Sequence, residues 1–304
     1  LSVDAVLDCP LDAATTDIEA LRRMPLESIA SRKALCCGRW LVSGETSGFS
    51  GHPVVTVFSE EEFHAGFVKP FLDRAEEMQF PVHSTWLWVG PSGPHVIGKA
   101  IRAILRYARG LDPLAIDFDP RWYRHLPEGS LLRDRYFSHI KRQVLMVLES
   151  QNVEVIFSTP PIIKWLCTEL SDRRRSEIQG VHYGGMGMSP AQYREFHSAF
   201  PNAVHMSGYG NSLFGVFPEC GFDDGGINYR VDSERVDINI VSEAGGHCQP
   251  CEVGEEGRVL FSRYDESIML LNLLESDSAI RTVEGLKNPR RAVPTGVSRK
   301  NVLY

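Results

Sequence analysis

The chain has 304 residues, 43% of them hydrophobic, with 39 acids against 32 bases and a net charge of −7. That composition supports a large core, as one extended α/β unit or two closely joined lobes. A mildly acidic balance excludes a general affinity for nucleic acid or anionic membrane, and no run reads as a membrane span or a signal peptide.

In chain order, residues 40–42 and 54–58 are β-like runs around Glu45-Thr46-Ser47-Gly48-Phe49-Ser50-Gly51-His52-Pro53. Glycines let backbone N–H groups line a concavity, and Thr46, Ser47 and Ser50 add hydroxyls. That chemistry suits polyphosphate oxygens; a plain glycine-rich hairpin loop is the other reading. The loop is not of the Walker type, which needs a Lys-Ser/Thr pair running into a helix. Ser59 and Glu62 form a capping box, predicting a helix through Phe63, Phe67 and Phe71. Trp86, Trp88 and His95 lie in a segment broken by glycine and proline. Helices are predicted from His95 to about Arg109 and over 131–150, the latter with Ile140, Val144, Leu145 and Leu148 on one face.

The pattern then becomes regularly α/β. Strands are predicted at 153–157, 179–183 and 203–206. Between them, Thr159-Pro160 opens a helix with Ile163, Leu166, Cys167 and Leu170 as its stripe, and Ser189-Pro190-Ala191-Gln192 opens another. This alternation predicts a parallel sheet with helices on its faces. Runs at 227–231, 236–240, 259–262 and 268–274 predict an antiparallel sheet or distorted barrel beside the α/β part. The expected organisation is an α/β core over 1–225, a β-rich subdomain of the same unit over 226–284, and a basic, turn-rich tail over 285–304.

Seven scattered cysteines point to a reducing cytoplasm. Cys248 and Cys251, with His247 before them and Cys220 upstream, contain half of a structural zinc signature; simple loop cysteines are the alternative. Arg173, Arg174 and Arg175 read as a solvated helix end.

Open α/β sheets bind ligands where strand ends meet loops. Two glycine-containing loops follow successive predicted strands: Tyr183-Gly184-Gly185-Met186-Gly187 and Ser207-Gly208-Tyr209-Gly210-Asn211-Ser212. The glycines admit a flat ring close to the backbone, and Tyr209 offers a stacking face. Either loop alone is a plain strand–helix turn; together, behind a hydroxyl-rich loop, they suggest a nucleotide. Trp86 and Trp88 either stack on a planar aromatic acid or belong to the core. His95 either orients a carboxylate or caps its helix.

The order of these motifs resembles the adenylate-forming (acyl-CoA synthetase) superfamily, specifically its phenylacetate–CoA ligase-like members, over residues 17–282. The family's Ser-Gly-Thr-Thr-Gly-x-Pro-Lys triphosphate loop is similar to the segment from Ser47 to Val54. Its Gly-Gly-Glu-x-x-Ser segment resembles Gly184 to Ser189, and its Tyr-Gly-x-Thr-Glu segment resembles Tyr209 to Leu213. Its ribose-binding Asp resembles Asp277, and residues 17–26 resemble its N-terminal helix. The resemblance implies a large N-terminal adenylation domain, ATP and Mg²⁺ as cofactors, and adenylation of an aromatic carboxylate. The implied cofactor residues are Thr46, Ser47, Gly48, Ser50, Gly51, Gly184, Gly185, Met186, Ser207, Gly208, Tyr209, Gly210, Ser212 and Asp277. Trp86, Trp88, Gly185 and Tyr209 would meet the acid, and His95 would be catalytic.

Four departures bear on this. Val54 replaces the loop Lys, Leu213 the Glu used near Mg²⁺, Met186 the Glu after the paired glycines, and Asn272 or Leu273 the Arg of the ribose segment. The chain is also too short for the family's C-terminal lid. It resembles in this the truncated members of phenazine-antibiotic biosynthesis, of EhpF type, which implies a phenazine-like acid and an acyl-adenylate handed to a reductase or other acceptor enzyme. A homodimer is a further expectation. A binding or scaffold protein that keeps the fold without the chemistry is the competing reading. A nucleotide-binding oxidoreductase is a poor third reading, since no G-x-G-x-x-G follows an early strand with an acid about twenty residues on.

Overall fold

A run of five apolar or small residues, Trp86–Gly90, forms a strand buried along its whole length. Such runs, apolar on both faces, belong inside parallel sheets. The computed structural model describes residues 16–36, 38, 40–46, 53–223, 225–244 and 247–292. Three short helices open it: α1 (Ile18–Arg23), α2 (Leu26–Ile29) and α3 (Arg32–Cys36). An antiparallel pair follows, β1 (Leu41–Glu45) and β2 (Val55–Ser59).

Helix α4 (Glu60–Phe63) starts at the Ser59–Glu62 capping box, with both reciprocal bonds present. It passes through a π-helical stretch, His64–Val68, into α5 (Lys69–Glu77). Pro70 has no N–H to return to the carbonyl of Gly66, so regular α-helix cannot continue through this point. Phe63, Phe67 and Phe71 are each buried, as their spacing predicts.

The remaining elements are β3 (Trp86–Gly90), α6 (Val96–Tyr107), β4 (Leu114–Asp117), α7 (Pro120–His125), α8 (Leu131–Ser150), β5 (Val155–Ser158), α9 (Pro160–Glu169), α10 (Asp172–Glu177), β6 (Gly180–Gly184), α11 (Pro190–Ala199) and β7 (Val204–Asn211), then β8 (Gly215–Asp223), β9 (Gly226–Arg230), β10 (Val236–Ala244), β11 (His247–Pro250), β12 (Glu256–Tyr264), β13 (Met269–Arg281) and β14 (Gly285–Arg291). Strands β3 to β14 form one 12-stranded sheet in the order β11-β10-β12-β13-β14-β9-β8-β7-β6-β5-β3-β4. The β4-β3-β5-β6-β7 part is parallel, and every pairing from β7–β8 onward is antiparallel. The main core lies between this sheet and its helices: Ile140, Val144 and Leu148 of α8 and Ile163 and Leu166 of α9 are all buried in it.

Three expectations need correction. Residues 207–211 are not a loop: β7 runs through them and turns back as the β7–β8 hairpin. The β-rich region is not a separate sheet, because β8 pairs with β7 on one edge and β9 on the other. Residues 285–291 are not tail: β14 is paired with both β13 and β9. Its basic residues hid it, since Lys287 pairs with Asp223 and Arg290 with Glu256 while Leu286 is fully buried. No helix among the described residues is long and apolar enough to cross a membrane.

Candidate functional site

Strand β1 ends beside the start of α6. The Glu45 N–H donates to Pro94 O at 2.9 Å, and Glu45 and His95 form a parallel bridge. Beyond it, Thr46 and Val54 close the neck of the hydroxyl-rich loop twice over: Thr46 N–H donates to Val54 O at 3.0 Å, and the Thr46 hydroxyl accepts from Val54 N–H at 2.9 Å. The Thr46 hydroxyl is thus engaged in shaping the loop. Ser47, Gly48, Ser50 and Gly51 lie outside the described residues.

The β7–β8 turn comes against this neck. Ser212 Oγ donates to Glu45 O at 3.1 Å. Asn211 organises the turn, its side-chain oxygen accepting from the N–H groups of Leu213 (2.8 Å) and Phe214 (3.1 Å). Its amide nitrogen donates to the Glu275 carboxylate. Two residues on, Asp277 Oδ2 accepts from the Tyr209 hydroxyl at 3.4 Å. Gly184, at the end of β6, pairs with Gly208, and a Cβ there would lie 3.3 Å from the Gly208 carbonyl oxygen. Gly185 has φ +74° with open space around it, so the chain turns away from the sheet there. Met186 is half-buried.

A continuous path of contacts therefore joins His95, Glu45 and its neighbour Thr46, Ser212 and Asn211, Glu275, Asp277 and Tyr209, and Gly208 and Gly184. The glycines on it are required by crowding. A Cβ on Gly208 would meet Val216 Cγ2 at 2.7 Å, and one on Gly210 would meet Gly215 O at 2.0 Å. Ser207 is buried beneath, its hydroxyl 2.9 Å from that of Tyr229.

Two acids on this path are perturbed. Burial pushes Glu275 up to about 7, reinforced by the charge of Asp277 and opposed by the Ser276 N–H, Arg291 and Arg258. Burial also raises Asp277, opposed by Arg291, the Tyr209 hydroxyl and Arg258. Tyr209 itself is raised well above the usual phenol range by burial and by these two acids.

Several expected residues stand elsewhere or do other work. Trp86 and Trp88 are core side chains, 1% and 3% exposed, packed around Phe157 and, for Trp86, Phe71 and Phe80. They present no open stacking face, because β3 is buried on both sides. Tyr209 is 8% exposed and packs on Phe214 and Tyr229, so its hydroxyl reaches the site while its ring faces the core. His95 is the N-cap residue of α6 but makes no side-chain capping bond; its Nε2 lies 3.7 Å from Asp119 Oδ1. Leu213 and Val54, where the resembled family has Glu and Lys, are 1% and 2% exposed.

The zinc reading fails on topology. Cys220 is on β8 and Cys248 on β11, with five strands between them in the sheet order. Cys251 is buried, with its thiol directed at Glu256 O at 3.8 Å. Among the described residues, no three potential ligands come together. A hard cation such as Mg²⁺ wants a ring of oxygens, and the buried Leu213 side chain supplies none; the residues at this position do not fit it.

Sequence reading missed Asn211 and Glu275 as members of the site, and Arg263 behind it. Arg263 is fully buried and donates to Thr56 Oγ1 (3.1 Å), Leu213 O (2.8 Å), Val57 O (2.9 Å) and the Asp265 carboxylate (2.5 Å). It ties β2 to the β7–β8 turn. An Asx-turn signature, Asn211 two residues before Leu213, was the available signal for Asn211; for Glu275 and Arg263 the sequence carries none.

No protein-family model matches the chain, and no curated protein matches it in sequence. Solved structures do resemble it in fold. An ATP-bound RpMatB-BxBclM chimera aligns at 14% identity and TM-score 0.56, over 82% of this chain and 47% of that one. ATP-bound MatB from Rhodopseudomonas palustris aligns at 14% identity and TM-score 0.54, over 82% and 47%. The luciferase-like enzyme of the mealworm Zophobas morio aligns at 16% identity and TM-score 0.54, over 79% and 56%. The chain thus spans about half the length of these structures. At such identities the likeness is one of fold, and the fold, a mixed sheet flanked by helices, is that of the N-terminal domain of adenylate-forming enzymes.

Proposed function

We propose that the chain binds ATP at the described contact path and activates an aromatic carboxylate as its acyl-adenylate. The supporting observation is that the Thr46 neck, the Gly184–Gly208 pair, the Asn211–Ser212 turn and Asp277 are linked at one end of the strands through the Ser212–Glu45, Asn211–Glu275 and Tyr209–Asp277 hydrogen bonds. A carboxylate oxygen of the acid attacks the α-phosphorus, the bond to the β-phosphate oxygen breaks, and pyrophosphate leaves. The protein's part is positioning and charge stabilisation. Thr46 fixes the neck of the loop whose amides and hydroxyls hold phosphate oxygens. Gly184 and Gly208 present flat backbone to the base, and Asp277, oriented by Tyr209, accepts from the ribose hydroxyls. A phenazine-like acid, delivered as its adenylate to a reductase or other acceptor enzyme, is the finer form of this reading.

ATP–pyrophosphate exchange tests it, with benzoate- and phenazine-type acids as substrates. Acid-dependent exchange is the expected result; none with any acid contradicts catalysis. A second reading, a binding protein without the chemistry, is favoured by the buried apolar Val54 and Leu213. It predicts calorimetric binding of an aromatic acid with no affinity for ATP or AMP.

A further inference from the structure

Among the described residues, the 12-stranded sheet ends at β4, which has β3 on one side and no strand on the other. The Phe118 N–H donates to Gly90 O at 3.1 Å, and Gly90 stands opposite Asp117 in the parallel register. Successive residues of a strand turn their N–H and C=O groups to alternate sides, so those of Ala115 and Asp117 face outward. No described residue bonds to them. An open edge of this kind is a template for a further strand. Beside it runs a groove of about 510 Å³ between β4 and α8. Ile116 and Ile140 are buried in its floor, and Met146, 57% exposed, borders it. Helix α8 carries Arg135, His139, Arg142 and Met146 at i, i+4, i+7 and i+11, one exposed stripe along the groove. Among the described residues neither guanidinium has a partner. The nearby acids are turned to other work. Asp117 accepts from the Ser92 N–H at 2.8 Å, Asp134 sits in the first turn of α8, and Glu149 lines a separate groove against α9 and α10.

We propose that the β4 edge and the α8 groove form a docking site for an acidic, extended peptide of a partner protein. The peptide adds to β4 as a strand, bonding to the outward backbone of Ala115 and Asp117. Every second side chain then faces α8, an apolar one over Ile116 and Ile140 and acids on either side of it toward Arg135 and Arg142. The spacing suits this arrangement. The two arginines are about 10 Å apart along the helix, at about 1.5 Å per residue. Two acids four positions apart in a strand are separated by about 13 Å, within the reach of long arginine side chains, with one apolar residue between them on the same face. Charge decides between a peptide and a second copy of this chain. Pairing β4 with the same strand of another copy sets the two α8 helices side by side on one face of the joined sheet. Arg135, His139 and Arg142 of both copies would then face one another, an unfavourable juxtaposition that an acidic partner turns into attraction.

This site is independent of the adenylation reading. Fluorescence anisotropy of the labelled, end-capped peptide Glu-Thr-Val-Thr-Glu-Thr against the full chain reads it directly. Saturable binding below about millimolar peptide is the result expected. Ala115→Pro removes an outward donor and spares the pairing with β3, since proline is tolerated where an edge N–H faces solvent. It should weaken binding by about tenfold, the loss of one hydrogen bond and its register. The double variant Arg135→Glu/Arg142→Glu should weaken it by about tenfold or more, and Lys-Thr-Val-Thr-Lys-Thr should bind the wild type more weakly by a similar factor. No saturation of the wild type by millimolar peptide overturns the proposal, as does equal affinity for the acidic and basic peptides. A concentration-dependent dimer in sedimentation that Ala115→Pro abolishes also overturns it, by making a second copy the occupant. If Ala115→Pro does not fold, the arginine variant, altered at exposed positions alone, decides: wild-type affinity there overturns the proposal.

Discussion

Arg263 carries more of the polar contact behind the site than any other described side chain. It is wholly enclosed, lies 3.9 Å over the Phe58 ring and holds the Asp265 carboxylate, 2% exposed, which Arg235 also contacts. A buried charge is tolerated only when paired and hydrogen-bonded, and removing one partner strands the rest. Arg263→Ala leaves the Val57 and Leu213 carbonyls without this donor and Asp265 with Arg235 and the backbone N–H groups of Ser267 and Ile268. It should lower stability by about 3–5 kcal/mol in urea unfolding. A loss under about 1 kcal/mol, the size of a surface pair, would show that this network is not what joins β2 to the turn. Sequence offered no hint of Arg263, because an arginine in a strand reads as solvated and its partners lie 50 and about 207 positions away.

At the level of elements, the β7–β8 hairpin decides the geometry of the site. Sequence reading placed Ser207-Gly208-Tyr209-Gly210-Asn211 at the right end of the sheet but as a loop. Glycine is the usual mark of a turn, and here it marks two backbones pressed together instead. Gly210→Ala sets a methyl 2.0 Å from the Gly215 carbonyl, where only backbone can yield. Gly185→Ala meets open space and strains only the φ +74° backbone. Gly210→Ala should therefore destabilise by about 1–3 kcal/mol, the range of overpacking, and more than Gly185→Ala in thermal melts. The reverse order would contradict the close approach of β8. By contrast α4, α8 and α11 were legible, because a capping box or an apolar stripe is a local signal. β14 was not, since charge pairs with Asp223 and Glu256 hold it where an apolar alternation would have announced it.

Over the whole molecule, one sheet carries both the parallel, helix-flanked strands and the antiparallel ones, and four of its buried ionisable groups make opposing contributions to the response to pH. Burial pushes His182 down to about 3 and His205 down to about 4. Each binds fewer protons folded than unfolded, so their contribution to stability is lost as pH falls below about 6.5. Glu219 and Glu275, raised to about 8 and about 7, bind more protons folded, so theirs is lost as pH rises above the usual carboxylate range. The two pairs oppose each other between pH about 4.5 and 6.5, and each group contributes a slope of at most about 1.4 kcal/mol per pH unit. Stability should pass through a plateau in that interval and fall on both sides; in Glu275→Gln the alkaline decline should be shallower. A stability that climbs steadily to pH 9 would mean that these acids are not buried as described.

The fold class could be read from the strand–helix alternation and the order of motifs, and the segments of the contact path were noticed because glycines and hydroxyls recur at strand ends. The ring orientations of Trp86, Trp88 and Tyr209 could not, because they depend on which strands become central. The account turns on Asp277 and the contacts around it enclosing a nucleotide. Calorimetric titration of the full chain with ATP tests that most directly, with Asp277→Ala in parallel. Saturable binding by the wild type, weakened about tenfold or more in the variant, as loss of a charged hydrogen-bond acceptor implies, is the result expected. Equal affinity in the two proteins, or no binding by the wild type at millimolar ATP, would contradict it.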